Sequence, residues 1–129
     1  MSEKLGTIKY DNLSYKSLFL DYASRFDKLA PFFSGDPNRP TSWASLASTL
    51  SKRTYPRKQV ASELRRLNTE LSADTAALAS IDLFEKGALV VVTGQQVGLF
   101  GGPLYTLYKA LSAISTARWA SSLLEVPVV

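Results

Sequence analysis

ALVVVTGQQVGLFGGPLYTLYKALSAI, residues 88–114, decides the fold. Its first five residues, Ala88-Leu89-Val90-Val91-Val92, are apolar and rich in β-branched side chains. A short continuous apolar run predicts a strand buried on both faces, because such a strand has no solvent face to mark with polar residues. A loop with four glycines follows at 93–103. Leu104, Leu107, Tyr108, Leu111 and Ile114 then recur at helical spacing. They predict a helix from Pro103 to about Ser122, with Leu107, Tyr108 and Leu111 on its buried side. Strand, loop and helix in that order is how α/β proteins place a ligand at the carboxyl end of a strand, against a helix N-terminus.

Working outward, residues 1–86 read as a helical lead-in. Asn12 or Ser14 caps a helix expected to run to about Ala30, with Leu18, Tyr22, Phe26 and Leu29 on one face, and Pro31 closes it. SGDPNRPT, residues 34–41, is a loop by composition, and Ser42 is expected to cap a short helix. A longer helix is predicted over 56–83, where Val60, Leu64, Leu67 and Leu71 form a seam that Asp74 interrupts. Gly87 ends it. Downstream of the second strong helix, Val126-Pro127-Val128-Val129 reads as the start of a second strand. Residues 87–129 are thus strand, glycine-rich ligand loop, helix and second strand start. The fold class is α/β, with 1–129 read as part of one domain.

Composition narrows the chemistry. Hydrophobic residues make up 46% and charged residues 20%, which fits a globular chain rather than a disordered one. Cysteine and histidine are both absent, so disulfides, thiolate metal sites and an imidazole base are excluded, and no metal site is expected. The N-terminus lacks a signal-peptide apolar core and no apolar run is long enough to span a bilayer; with the missing cysteines this points to a cytoplasmic location without a membrane partner. The net charge is +4. Its excess lies at 52–66, in Lys52, Arg53, Arg57, Lys58, Arg65 and Arg66. Such a cluster is open to two readings, a nucleic-acid surface or a solvated helix face. The scarcity of interleaved aromatics favours the second.

The loop carries the candidate site: Thr93, Gly94, Gln95, Gln96, Gly98, Gly102, Pro103, Tyr105 and Lys109. Glycines let backbone approach a ligand closely, and Pro103 is placed to open the helix, whose free N–H groups suit a phosphate or carboxylate. Gln95 and Gln96 offer uncharged donors and acceptors. Tyr105 and Lys109 are four apart and share a helix face. Because helical side chains lean toward the N-terminus, Lys109 can reach back to the loop. Against this stands the plain reading, in which the glycines only build a tight turn and Lys109 is solvated. Neither the dinucleotide fingerprint G-x-G-x-x-G nor the phosphate loop G-x-x-x-x-G-K-[ST] is present.

VVTGQQVGLFGGPLYTLYKALSAI closely resembles the signature of the cysteine-adding enzymes of bacillithiol biosynthesis, a cysteine ligase family. Their pattern T-G-Q-Q-x-G-L-x-x-G-P-L-Y-T-x-x-K is matched by Thr93, Gly94, Gln95, Gln96, Gly98, Leu99, Gly102, Pro103, Leu104, Tyr105, Thr106 and Lys109. LFLDYASRFDKLAPFFSGDP, residues 18–37, is similar to the family's N-terminal helix and the turn after it. The resemblance implies a Rossmann-like domain and ligation of cysteine to glucosaminyl malate. It also implies binding of ATP or another adenine nucleotide at the first strand-loop-helix. Family members run to several hundred residues and carry an acidic, histidine-containing segment after the second strand. On that reading this chain is an N-terminal fragment, inactive alone, whose partners are its small-molecule substrates and the missing C-terminal remainder. Two other readings stay open: a non-catalytic nucleotide- or anion-binding module, and a remnant without function.

Overall fold

The computed structural model describes residues 8, 9, 12–95, 98 and 102–129. They fall into two compact units, Met1–Ser42 and Trp43–Val129.

In the first unit, α1 spans Ser17–Ser24 and two 3-10 turns follow at Phe26–Lys28 and Ala30–Phe32. The single helix expected to reach Ala30 therefore stops six residues early. Arg25 leaves helical geometry at φ −141° and ψ 47°, and its Nε turns back to donate to Asp21 Oδ1 at 2.7 Å. The break swings Phe26 inward, where it is 7% exposed. Its ring lies 5.8 Å from Tyr22 and 5.4 Å from Phe33, in the tilted and edge-on arrangements aromatic quadrupoles prefer.

In the second unit, α2 (Pro40–Ser51, its larger part here) is followed by α3 (Arg57–Glu70), α4 (Thr75–Glu85) and α5 (Leu104–Leu124). Pro40 rather than Ser42 begins α2, since a proline at the first helical position gives up only an N–H that has no partner. The predicted 56–83 helix is two helices. Asp74, which interrupts the apolar seam, is the N-cap of α4: its carboxylate accepts from the Ala77 N–H at 2.8 Å. Ser72 makes the turn at φ 55°.

Helices α3 and α4 pack together, and arginines of the basic cluster bind them. Arg65 bridges to Asp82 at 2.6 Å and Glu85 at 3.2 Å. The Asp82 hydrogen bond, against a smaller desolvation effect, raises the Arg65 guanidinium above its ordinary range. A base raised in this way loses its contribution only as pH climbs through that range, so the bridge is insensitive to Arg65 titration at any working pH. Arg57 Nη1 donates to the carbonyls of Phe84 (2.8 Å) and Ala88 (2.9 Å), with its guanidinium 5.1 Å from the Phe84 ring. Arg66 pairs with Glu63 and Glu70.

β pairing among the described residues is confined to a parallel bridge between Leu89 and Val128. Its bonds run from Leu89 N–H to Pro127 O (3.0 Å), Val129 N–H to Leu89 O (2.9 Å) and Val91 N–H to Val129 O (2.8 Å). Helix α5 connects the two partners. The run 88–92 is not buried on both faces as predicted, for Val90 is 44% and Val92 83% exposed. Nor are Leu107, Tyr108 and Leu111 on a buried side: they are 54%, 59% and 49% exposed. Helix α5 buries Ala117 and Ala120 instead, with Trp119 edge-on to Trp43 at 5.0 Å. Among the described residues of this unit Ala61, Ile81, Ala88, Ala117 and Ala120 are buried, so its close packing is mostly through small side chains. The N-terminal half of α5 runs clear of that contact and carries its apolar face uncovered among the described residues. No helix among the described residues is long and apolar enough to cross a membrane.

Candidate functional site

The site forms where the chain leaves the bridge and enters α5. Pro103 is the N-cap at φ −67° and ψ 159°, one position before the helix it was expected to open. Proline's fixed φ suits either place, and its extended ψ delivers the chain from the loop. Among the described residues no side chain caps α5 and its first turn contains no acidic residue, so none of them compensates the positive end of this 21-residue helix.

Two glycines in the loop are required by geometry. Gly102 adopts φ +78°, and a Cβ there would lie 2.8 Å from Thr106 Oγ1. A Cβ on Gly98 would lie 2.6 Å from the Gly102 Cα, so the loop folds back with bare backbone against bare backbone. Gly94 differs, because a Cβ there would meet nothing within 4 Å.

These segments enclose an open cavity of about 560 Å³, lined by Gly94, Gln95, Gly98, Pro103, Tyr105, Thr106 and Lys109. That falls within the roughly 300–1,000 Å³ usual for small-molecule sites. Among the described lining residues only Lys109 is charged. Its stem leans back along α5, its Nζ donates to the Gly94 carbonyl, and the ammonium lies 5.2 Å from the Tyr105 ring centroid. Gln95 Nε2 donates to Thr106 Oγ1. A second hollow of about 300 Å³ adjoins, sharing Tyr105 and Lys109 and lined also by Val92, Thr93 and Tyr108.

The structure thus brings six of the nine expected site residues to the first cavity and Thr93 to the second. Gly102 shapes the wall from behind, and Gln96 lies outside the described residues. Thr106, which the sequence reading matched to the family signature but left out of the candidate site, lines the same cavity. Its signal was present: it stands three residues before Lys109, hence on the same helix face, and four after Gly102. No group of three or more metal-ligating side chains occurs among the described residues.

What the arrangement offers chemically is a cation, helix amides and uncharged amide and hydroxyl groups around a concave space. Such groups are chemically suited to an anion. Residues 4–129 match the family model described as "Bacillithiol biosynthesis BshC, N-terminal Rossmann-like domain". Proteins named "Putative cysteine ligase BshC" are similar to it. That of Salinibacter ruber is 38% identical over 110 residues, 83% of this chain and 20% of the relative. That of Chloroherpeton thalassium is 40% identical over 81% of this chain and 20% of the relative. That of Carboxydothermus hydrogenoformans is 35% identical over 92% of this chain and 22% of the relative. The chain therefore spans about a fifth of the length of the curated relatives it matches. With a match over almost its whole length, the chain belongs to the BshC family of bacillithiol biosynthesis, in which it corresponds to the N-terminal Rossmann-like domain.

Proposed function

We propose that this chain is the N-terminal, ligand-bearing part of a cytoplasmic ligase that adds cysteine to glucosaminyl malate. In that reading residues 1–86 are a helical lead-in. The Leu89–Val128 pair begins a parallel sheet, and α5 is the crossover between its first two strands. The cavity of Gly94, Gln95, Gly98, Pro103, Tyr105 and Lys109 holds an anionic group, either a nucleotide phosphate or the malyl carboxylate. The observation that carries this is the Lys109 ammonium, tethered to the Gly94 carbonyl beside the uncapped start of α5.

A phosphate fits this donor set. An ammonium bonded to one carbonyl has two further N–H donors. The described lining contains no carboxylate to oppose an anion, and Gly94 leaves space that a side chain would fill. An adenine nucleotide would supply the activation that a ligase needs. The chain's own residues bind and orient: Lys109 neutralises charge, and Gln95 sets the ligand's register through its amide. The remainder of the protein supplies the other catalytic groups.

The test is replacement of the matching lysine by methionine in a full-length family member. Methionine keeps most of the stem and removes the charge, so Lys109→Met should weaken ligand binding or turnover about tenfold or more, equivalent to about 1.4 kcal/mol. Unchanged turnover across substrate concentrations would reduce Lys109 to a surface residue.

A further inference from the structure

Gln95 is held by a residue that stands outside the expected site. We propose that Thr106 is a positioning residue for this cavity: its hydroxyl holds the Gln95 carboxamide, while Lys109 on the same helix face holds the Gly94 carbonyl, so that the loop is latched to α5 at two adjacent residues. This rests on the reading of the cavity as a ligand site.

The geometry builds the latch from behind. Gly98 lies against Gly102, and Gly102 in turn lies against Thr106, with a Cβ on either glycine excluded at 2.6 and 2.8 Å. The Thr106 hydroxyl is thus backed by bare backbone on one side and accepts from Gln95 Nε2 on the other. Thr106 and Lys109 are three residues apart, which puts both over the same turn of α5, and the groups they hold belong to consecutive residues, Gly94 and Gln95.

Pre-setting matters more for glutamine than for most side chains. Its three rotatable bonds make ordering on binding costly, and an amide already held in place has met that cost beforehand. With Nε2 committed to Thr106, Gln95 offers its carbonyl Oε1, an acceptor. Beside the Lys109 ammonium this makes a pair suited to a ligand with an N–H donor close to an anionic group. Thr106 lines the cavity, but its hydroxyl is engaged by Gln95; acting through that residue, its loss should appear in KM and leave kcat nearly unchanged.

The experiment is a double-mutant cycle at the matching positions of a full-length family member, with cysteine and ATP varied in turn and unfolding temperature recorded for every variant. Thr106→Val keeps the shape and removes the hydroxyl; it should raise KM for one substrate about tenfold with kcat within about twofold. Thr106→Ser should restore the original KM. Gln95→Ala should raise the same KM, and Thr106→Val in that background should change it no further, because a residue that acts through Gln95 has nothing left to position. If the two effects instead multiply in full, Thr106 is overturned while the cavity reading stands. If Gln95→Ala and Lys109→Met are both silent, the ligand reading fails and this inference fails with it. Loss of folding in Thr106→Val, with KM unmoved in a folded Thr106→Ala, assigns the hydroxyl to stability and also overturns the proposal.

Discussion

Gly94 and Gly102 lie eight residues apart in one loop, yet the structure requires glycine at only one of them, and the same substitution should separate them. At Gly102 the backbone sits at φ +78°, and a methyl group would meet Thr106 Oγ1 at 2.8 Å. An alanine forced into left-handed geometry costs about 1–2 kcal/mol before the steric contact is added. At Gly94 a methyl group meets nothing within 4 Å. There alanine should leave stability unchanged or raise it by about 0.4–1 kcal/mol, through the entropy it removes from the unfolded chain. The two variants should therefore differ by about 1.5–3 kcal/mol in urea unfolding. With a slope of about 1–3 kcal/mol per molar, their midpoints separate by on the order of 1 M. Binding should not follow stability. Gly94 lines the cavity, so a ligand resting on its bare Cα must retreat from the added methyl. A tenfold loss, about 1.4 kcal/mol, is expected for Gly94→Ala when ATP, pyrophosphate and L-cysteine are titrated calorimetrically into a full-length family member carrying it. A Gly94→Ala midpoint as low as that of Gly102→Ala would refute the assignment of open space. Unchanged affinity for all three probes would show that the cavity is not the cradle.

Two further outcomes follow from the helical part. Asp74→Ala removes the α4 cap and should cost about 1 kcal/mol in urea unfolding; a change near zero would mean that the Ala77 N–H is satisfied by water at no loss. Arg57→Ala removes charge-assisted bonds to Phe84 O and Ala88 O at the point where α4 leads into the bridge, and should cost about 2–3 kcal/mol. Faster hydrogen exchange at the Leu89 and Val91 amides should accompany it, and unchanged exchange there would confine the role of Arg57 to α4.

The glycine-rich loop was legible because its chemistry is local. Four glycines, a proline and a lysine at helical reach are properties of neighbouring residues, and the structure brings most of them around one cavity. Asp74 was legible as an interruption but not as a cap, since an aspartate in an apolar seam is a break only once the chain is known to turn there. Thr106 had the right spacing from Lys109 and Gly102, but its role depends on Gln95, eleven residues back, and on the close approach at Gly102, which periodicity does not register.

Burial was the least legible property, and the failures share a cause. The apolar spacing of Leu107, Tyr108 and Leu111 correctly marks a helix face, and Val90 and Val92 carry the side chains of a buried strand. Periodicity states which face prefers to leave water, not what covers it. In the described residues, four of the five buried side chains of the second unit are alanines, at 61, 88, 117 and 120, with Ile81 the fifth, and alanines are too small to register in an apolar pattern. Large apolar residues stay exposed along α5 and at the bridge, where Val90 borders hollows lined also by Val60 and Phe84. Each buried Val or Leu side chain contributes about 1.5–3 kcal/mol, so a face left this exposed forgoes most of the stabilisation its sequence offers.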